Sequence, residues 1–201
     1  MEESQEKKRI ELKKKHSVIA RDQVYTSFVI GVDPGLKGGV AVFDCDDQKV
    51  VATLPIPVMV SGGKTVYDVA ELITQLRKLV AFNPDDRFAE YTFCVEQQHA
   101  LPEQGVVSMF TTGFGFGLWR GIFASICGKQ DHILIVKAKE WQSILWEEDA
   151  PDETKARSIE RVRRLFPYVR LCPNKRKKPH DGIADAVNIA HYAFLRMVDI
   201  C

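Results

Sequence analysis

The chain has 201 residues, 45% of them hydrophobic, with a formal net charge of +1. That suits one domain, or one domain with tails, around an ample packed core. No apolar run reaches the ~18 uninterrupted residues that a membrane span needs, and so small a net charge does not select a partner.

Residues 1–24 are dense in charge of both signs and poor in large apolar side chains. They read as a disordered or frayed helical arm ahead of a domain over 25–201. The opening MEESQEKKRIELKKKH is unlike a signal peptide and, with Glu2, Glu3, Glu6 and Glu11, too acidic for a typical transit peptide. Three strands follow at Tyr25 to Val32, Gly39 to Cys45 and Lys49 to Leu54. Their short connections, including an Asp46-Asp47 turn, predict an antiparallel meander. Pro55 to Gly63 reads as a loop closed by Pro55, Pro57 and Gly62-Gly63. Val66, Val69, Leu72, Ile73 and Leu76 recur at helical spacing and predict a helix over Thr65 to Leu79, with Thr65 or Asp68 near its cap. Asn83-Pro84-Asp85-Asp86 stops it. A fourth strand, Tyr91 to Val95, ends in Glu96.

Gln97 to Gln104 is a polar loop, and Gly105 to Cys127 reads as a long helix with Arg120 its sole charge. Gly113, Gly117 and Gly121 share one side of that helix, and each costs roughly 1 kcal/mol of helix propensity. Close approach of a backbone or a ligand would offset this, tight packing within the fold being the simpler expectation. A fifth strand is expected at Ile133 to Val136, then helices at Lys137 to Trp146 and Asp152 to Phe166. In the second of these Ile159, Val162, Leu165 and Phe166 face inward, and Arg157, Arg161 and Arg164 outward. Pro173 to Pro179 is a basic loop, and Ala184 to Val198 the last helix. The order β-β-β-α-β-α-β-α-α-α predicts an α/β fold: a mixed five-stranded sheet, antiparallel at its start and parallel after, with helices on both faces.

The chemistry gathers at four acids. Asp33 ends the first strand in FVIGVDPGLKGGVAVF, and Glu96 ends the fourth. Asp181 and Asp185 stand four apart, on one face at the start of the last helix. Pairing of the first and fourth strands would set Asp33 beside Glu96, and the last helix would bring its pair to the same point. Four like charges so placed need a counter-charge. Oxygen ligands without a His/Cys set point to Mg²⁺ or Mn²⁺. Two such ions about 4 Å apart can clamp the attacking and leaving oxygens of a phosphodiester. Taken singly, each acid fits a turn or a helix start as well, and His180 reads as an exposed cap neighbour bordering the site. From Lys155 to His180 ten Lys or Arg face one acidic residue, Glu160. That asymmetry reads as a polyanion footprint or a solvated surface. The five cysteines form no CxxC or CxH pair and are odd in number. They argue against zinc or a disulfide framework and suggest a reducing compartment.

IGVDPGLKGGVAV, VEQQ at Val95 to Gln98, and HDGIADAVNIAHY at His180 to Tyr192 together resemble the motifs of RuvC-like Holliday-junction resolvases, in the ribonuclease H-like superfamily. The resemblance spans about Phe28 to Tyr192. LPEQG, TTGFGFGLWRGIFAS and KRKKPHDG are most similar to the chloroplast resolvases of plants and their phage relatives. It implies a ribonuclease H-like fold and a homodimer. It implies an endonuclease that nicks four-way junction DNA symmetrically with divalent metal, two ions to each active site, and takes no membrane or small-molecule partner. Asp33, Glu96 and Asp185 fall on metal-ligand positions, and Asp181 on a fourth that varies among members, which leaves it open against His180. DNA contacts are expected from Lys37, Gln97, Gln98, Lys137, Lys139, Lys155, Arg157, Lys175, Arg176, Lys177 and Lys178. The turn from Pro34 to Gly39 then reads as clearance beside a scissile strand. The compartment implied is intracellular, reducing and DNA-containing: an organelle nucleoid, or the cytoplasm of a bacterial or phage-infected cell. Other readings stay open: a ribonuclease H-like nuclease for hybrids, flaps or recombination ends, and a non-catalytic junction-binding protein. A phosphotransferase is disfavoured, because DPGLKGG occurs once and that fold needs two similar halves.

Overall fold

The computed structural model describes residues 27–80, 90–98, 105–127, 132–146, 154–173 and 177–199. The N-terminal arm, the stop at Asn83 to Asp86, most of the Gln97 to Gln104 loop, and Lys175 and Arg176 lie outside the described residues.

Strands β1 (Ser27–Asp33), β2 (Gly39–Asp44) and β3 (Lys49–Pro55) form the expected meander. Together with β6 (Glu90–Glu96) and β7 (Ile133–Val136) they make one sheet in the order β3-β2-β1-β6-β7. β1 pairs antiparallel with β2 and parallel with β6, and β6 parallel with β7. The mixed sheet is therefore as the sequence predicts. Burial on both faces explains why β1 reads as an unbroken apolar run rather than an alternating one.

Its side chains divide between two cores. Val29 packs with the helix α5 (Asp181–Asp199), and with α3 (Ala138–Leu145) and α4 (Thr154–Leu165). Ile30 and Val32 pack with α1 (Val69–Val80) and α2 (Val106–Cys127). Leu72 and Leu76, four apart and fully buried, fasten α1 to its core. Each such side chain contributes about 1.5–3 kcal/mol.

Three expectations are corrected. The span from Pro55 to Gly63 is not simply a loop. β4 (Val58–Ser61) and β5 (Lys64–Tyr67) pair as a hairpin. Gly62 and Gly63 supply the positive φ values, 57° and 74°, that a tight two-residue turn requires. The helix consequently starts at Val69, not Thr65, and Asp68 caps it by accepting the Glu71 N–H at 3.0 Å.

The second correction concerns α4. Arg161 points inward and is buried, while Leu165, expected inward, is 41% exposed. The third concerns α2. Among the described residues, a Cβ at Gly113, Gly117 or Gly121 would meet nothing within 4 Å, so tight packing among them does not account for these glycines. Gly115 is the packed one, its Cβ position overlapping the Tyr67 ring.

Candidate active site

Strand pairing places the first two acids. Val32 stands opposite Val95 in the parallel β1–β6 register, so the chain ends of Asp33 and Glu96 emerge side by side. Glycine contacts place the other two. Gly38 and Gly182 form a bridge between the β1–β2 turn and the start of α5. A Cβ on Gly182 would lie 2.3 Å from the Lys37 carbonyl oxygen, and one on Gly39 2.7 Å from the Gly182 oxygen. Farther along, a Cβ on Gly31 would fall 2.3 Å from the Ala186 oxygen. The turn from Pro34 to Gly39 thus gives clearance to the backbone of α5.

His180 is buried rather than exposed, and it caps α5. Its Nδ1 accepts the Ile183 N–H at 3.3 Å, and its own N–H donates to the Leu171 oxygen at 2.6 Å. That nitrogen is committed to the helix. Asp181 opens the helix and is electrostatically coupled to Asp33 and Asp185.

The four acids differ in their surroundings. Burial raises the Asp33 carboxyl to about 6, opposed by the Gly35 N–H at 3.2 Å and reinforced by Asp181. Burial raises Glu96 to about 7, opposed by the Trp141 indole, whose Nε1 donates to Oε2 at 2.8 Å, and reinforced by Asp33. Burial raises Asp185 to about 7. The Ser158 hydroxyl bond opposes this, while Asp33, Glu96 and Asp181 add to it. Asp181 is the exception. Partial burial pushes it up, but the Lys155 ammonium, 2.6 Å from Oδ2, prevails and holds it below the usual range.

Among the described residues, no group of three His, Cys, Asp or Glu side chains is arranged to hold a metal ion. The four acids are coupled electrostatically, while Asp181 pairs with Lys155 and Glu96 accepts from Trp141. The donor chemistry nonetheless suits a hard divalent cation. It is oxygen-only, and burial raises the proton affinity of three part-buried carboxylates, with Asp33 adding to the rise at Glu96 and Asp185.

Of the expected DNA contacts, Lys37 and Lys155 line one cleft of about 770 Å³ with Asp181, His180, Leu36 and Ile56. Lys137 and Lys139 are exposed where β7 runs into α3, next to Glu96 in the sheet. Gln98 turns to Glu96, its Nε2 3.5 Å from Oε1, and the Gln97 main chain donates to Val136. Arg157 lies over the Trp146 ring at 5.2 Å. Lys177 and Lys178 are exposed ahead of α5. Sequence reading assigned no role at the site to Trp141, Ser158, Arg161 or Asn188. The signal for the last was present: an amide inside an Ala-rich apolar helix implies a buried partner.

No protein-family model matches the chain, and no curated protein matches its sequence. Solved structures do match. Over 85% of this chain and 96% of the other, the chain is similar to T. thermophilus RuvC in complex with a Holliday junction substrate, with a TM-score of 0.50 and 17% identity. It also matches the yeast mitochondrial Holliday junction resolvase Ydc2 over 92% of this chain and 85% of that one, with a TM-score of 0.49 and 14% identity. The order of strands, the mixed pairing and the RuvC likeness agree on a ribonuclease H-like α/β fold.

Proposed function

We propose that the protein is a structure-selective DNA endonuclease that resolves four-way junctions by divalent-metal-dependent hydrolysis of two symmetrically placed phosphodiesters. The observation that carries this reading is the electrostatic coupling of three part-buried carboxylates, from β1, β6 and α5, near Lys155. On this reading Asp33, Glu96 and Asp185 hold Mg²⁺ or Mn²⁺, two ions per site, with Asp181 the fourth ligand once it leaves Lys155. Bound divalent ions supply Lewis acidity for an attacking water and a leaving 3′-oxygen.

The chain's own groups do the rest. Trp141 orients Glu96 while keeping water from its buried side. Lys37 and Lys155 engage the phosphodiester backbone in the cleft, and the basic loop with Lys177 and Lys178 extends that contact. Lys155 also supplies the positive charge that lets Asp181 stay ionised beside the other acids.

Paired nicks require two sites, hence a homodimer. The face of α2 supports one. Val106, Val107 and Phe110 are 77%, 67% and 75% exposed, and Gly113, Gly117 and Gly121 open onto the same side. Small residues at a spacing of four allow a second helix to approach closely, which would offset the cost of those glycines.

The decisive assay incubates the protein with a mobile four-way junction and Mg²⁺. Nicks in two strands of like polarity, ligatable afterwards, with duplex spared, are expected. Equal cutting of duplex would reduce the reading to a general nuclease. Asp33→Asn abolishes cleavage and leaves junction binding nearly intact, because the basic surface is untouched. Parallel loss of both in a gel-shift assay contradicts the assignment of Asp33 to the metal.

A further inference from the structure

A file of buried polar side chains runs from α5 into α4 and ends on Asp185. Ser158 and Asn188 are fully buried, and Arg161 nearly so. Arg161 donates from Nε to the Leu145 oxygen at 3.1 Å and from Nη1 to Asn188 Oδ1 at 2.8 Å, while Nη2 lies 3.0 Å from His191 Nδ1. Asn188 Nδ2 donates to Ser158 Oγ at 2.7 Å and to the Ser158 main-chain oxygen at 3.2 Å. Ser158 in turn hydrogen-bonds the Asp185 carboxylate.

The direction of this file is fixed by chemistry. A guanidinium only donates, so Asn188 must turn its amide oxygen toward Arg161. Its NH₂ then faces Ser158 and occupies a lone pair of the hydroxyl. The single hydroxyl proton is left free to point at Asp185. His191 is held neutral by burial and by the Arg161 charge, its pKa pushed down to about 3, so Nδ1 is available as the acceptor at the far end.

We infer that Arg161, Asn188 and Ser158 form a positioning relay that fixes the orientation of Asp185 as a metal ligand. This rests on the metal reading above and goes beyond it. It assigns the outer partners of one ligand to Ser158 and Arg161 on α4, linked through Asn188 on the ligand's own helix. Such partners typically alter metal affinity 10–100-fold when removed. A buried arginine is costly and could serve stability alone. What sets the relay apart is that its last proton ends on a site acid.

The test is isothermal titration of Mn²⁺ into the full-length, metal-free chain, with thermal melts alongside. Ser158→Ala, which leaves the packing in place, lowers Mn²⁺ affinity about 10–100-fold. Asn188→Asp keeps the bond to Arg161 but presents only acceptors, so the hydroxyl proton turns from Asp185 to the new carboxylate. Its added negative charge would by itself tighten cation binding, yet the expected result is a loss equal to that of Ser158→Ala. The double variant binds no more weakly than either single one. Wild-type affinity in Ser158→Ala, or tighter binding in Asn188→Asp, overturns the relay while leaving the metal reading standing. Failure of the wild-type chain to take up Mn²⁺ overturns both.

Discussion

Asp33→Asn should stabilise the metal-free protein at high pH. In the unfolded chain this carboxyl titrates at the ordinary value of 3.8, and in the fold at about 6. A group raised in this way holds its proton more tightly when folded. Its contribution is fully present below the unfolded value and is lost as pH rises through the folded one. Between those values each pH unit costs about 1.4 kcal/mol, so by pH 8 the ionised Asp33 has cost the wild type about 3 kcal/mol. Asparagine carries no charge, and its Oδ1 can still accept the Gly35 N–H that Asp33 accepts at 3.2 Å. The variant should therefore melt about 6–12 °C above wild type at pH 8. Because Asp33 also repels Glu96, some of that gain is realised as a lower proton affinity at Glu96.

The assay is a thermal melt of both proteins from pH 4 to 8 in chelator. The difference between them isolates Asp33 from every group that titrates alike in the two. It should be near zero at pH 4 and grow steadily through pH 6. A saturating divalent ion at pH 8 should raise the wild-type melting temperature and leave the variant's unchanged. A variant less stable than wild type at pH 8, or a difference that does not vary with pH, would refute the electrostatic account of the site.

Further perturbations probe separate links. Trp141→Phe keeps an aromatic ring against the core but removes the indole donor to Glu96; melts should show about 1–3 kcal/mol lost and titration a weaker uptake of Mn²⁺. Gly31→Ala drives a methyl into the α5 backbone, and soluble yield or denaturant midpoint should report more than about 4 kcal/mol of destabilisation, the range of severe core overpacking. Phe110→Asp should convert a dimer to monomers in sedimentation velocity with little change in melting temperature, since Phe110 is 75% exposed. Removing the Lys177 and Lys178 charges together should lower the salt dependence of junction binding by about 1–2 in log–log slope, one for each phosphate no longer neutralised.

The acids were legible because each marks an edge that pattern alone defines: a carboxylate closing an apolar strand, or two carboxylates one turn apart at a helix start. The five sheet strands were legible for the same reason. What the pattern hid was anything decided by contact across the fold. Gly62-Gly63 is a turn signal in either a loop or a hairpin. The choice fell to the hairpin because Val58 to Val60 could pair with Lys64 to Tyr67, and because Tyr67 is anchored by its hydroxyl bond to the Pro34 oxygen at 2.8 Å. Arg161 sits among outward-facing arginines on a strongly basic helix, and nothing local marks it as the one turned inward. Its burial depends on an acceptor, Asn188, that stands 27 residues away.

The same distinction explains how the site is built. Gly31, Gly39 and Gly182 carry no chemistry, yet without them α5 could not lie on β1 and the β1–β2 turn. A single methyl group at any of these places would push the helix outward and take Asp181 and Asp185 with it. Close helix–sheet approach is also what buries Asp33 and Asp185 deeply enough for their charges to oppose one another. The glycines thus set the acidity of the site as well as its geometry. A site assembled this way is under electrostatic load before any ion binds. Stability given up in the metal-free fold is the source of the affinity expected for a divalent cation, since relief of the repulsion accompanies binding.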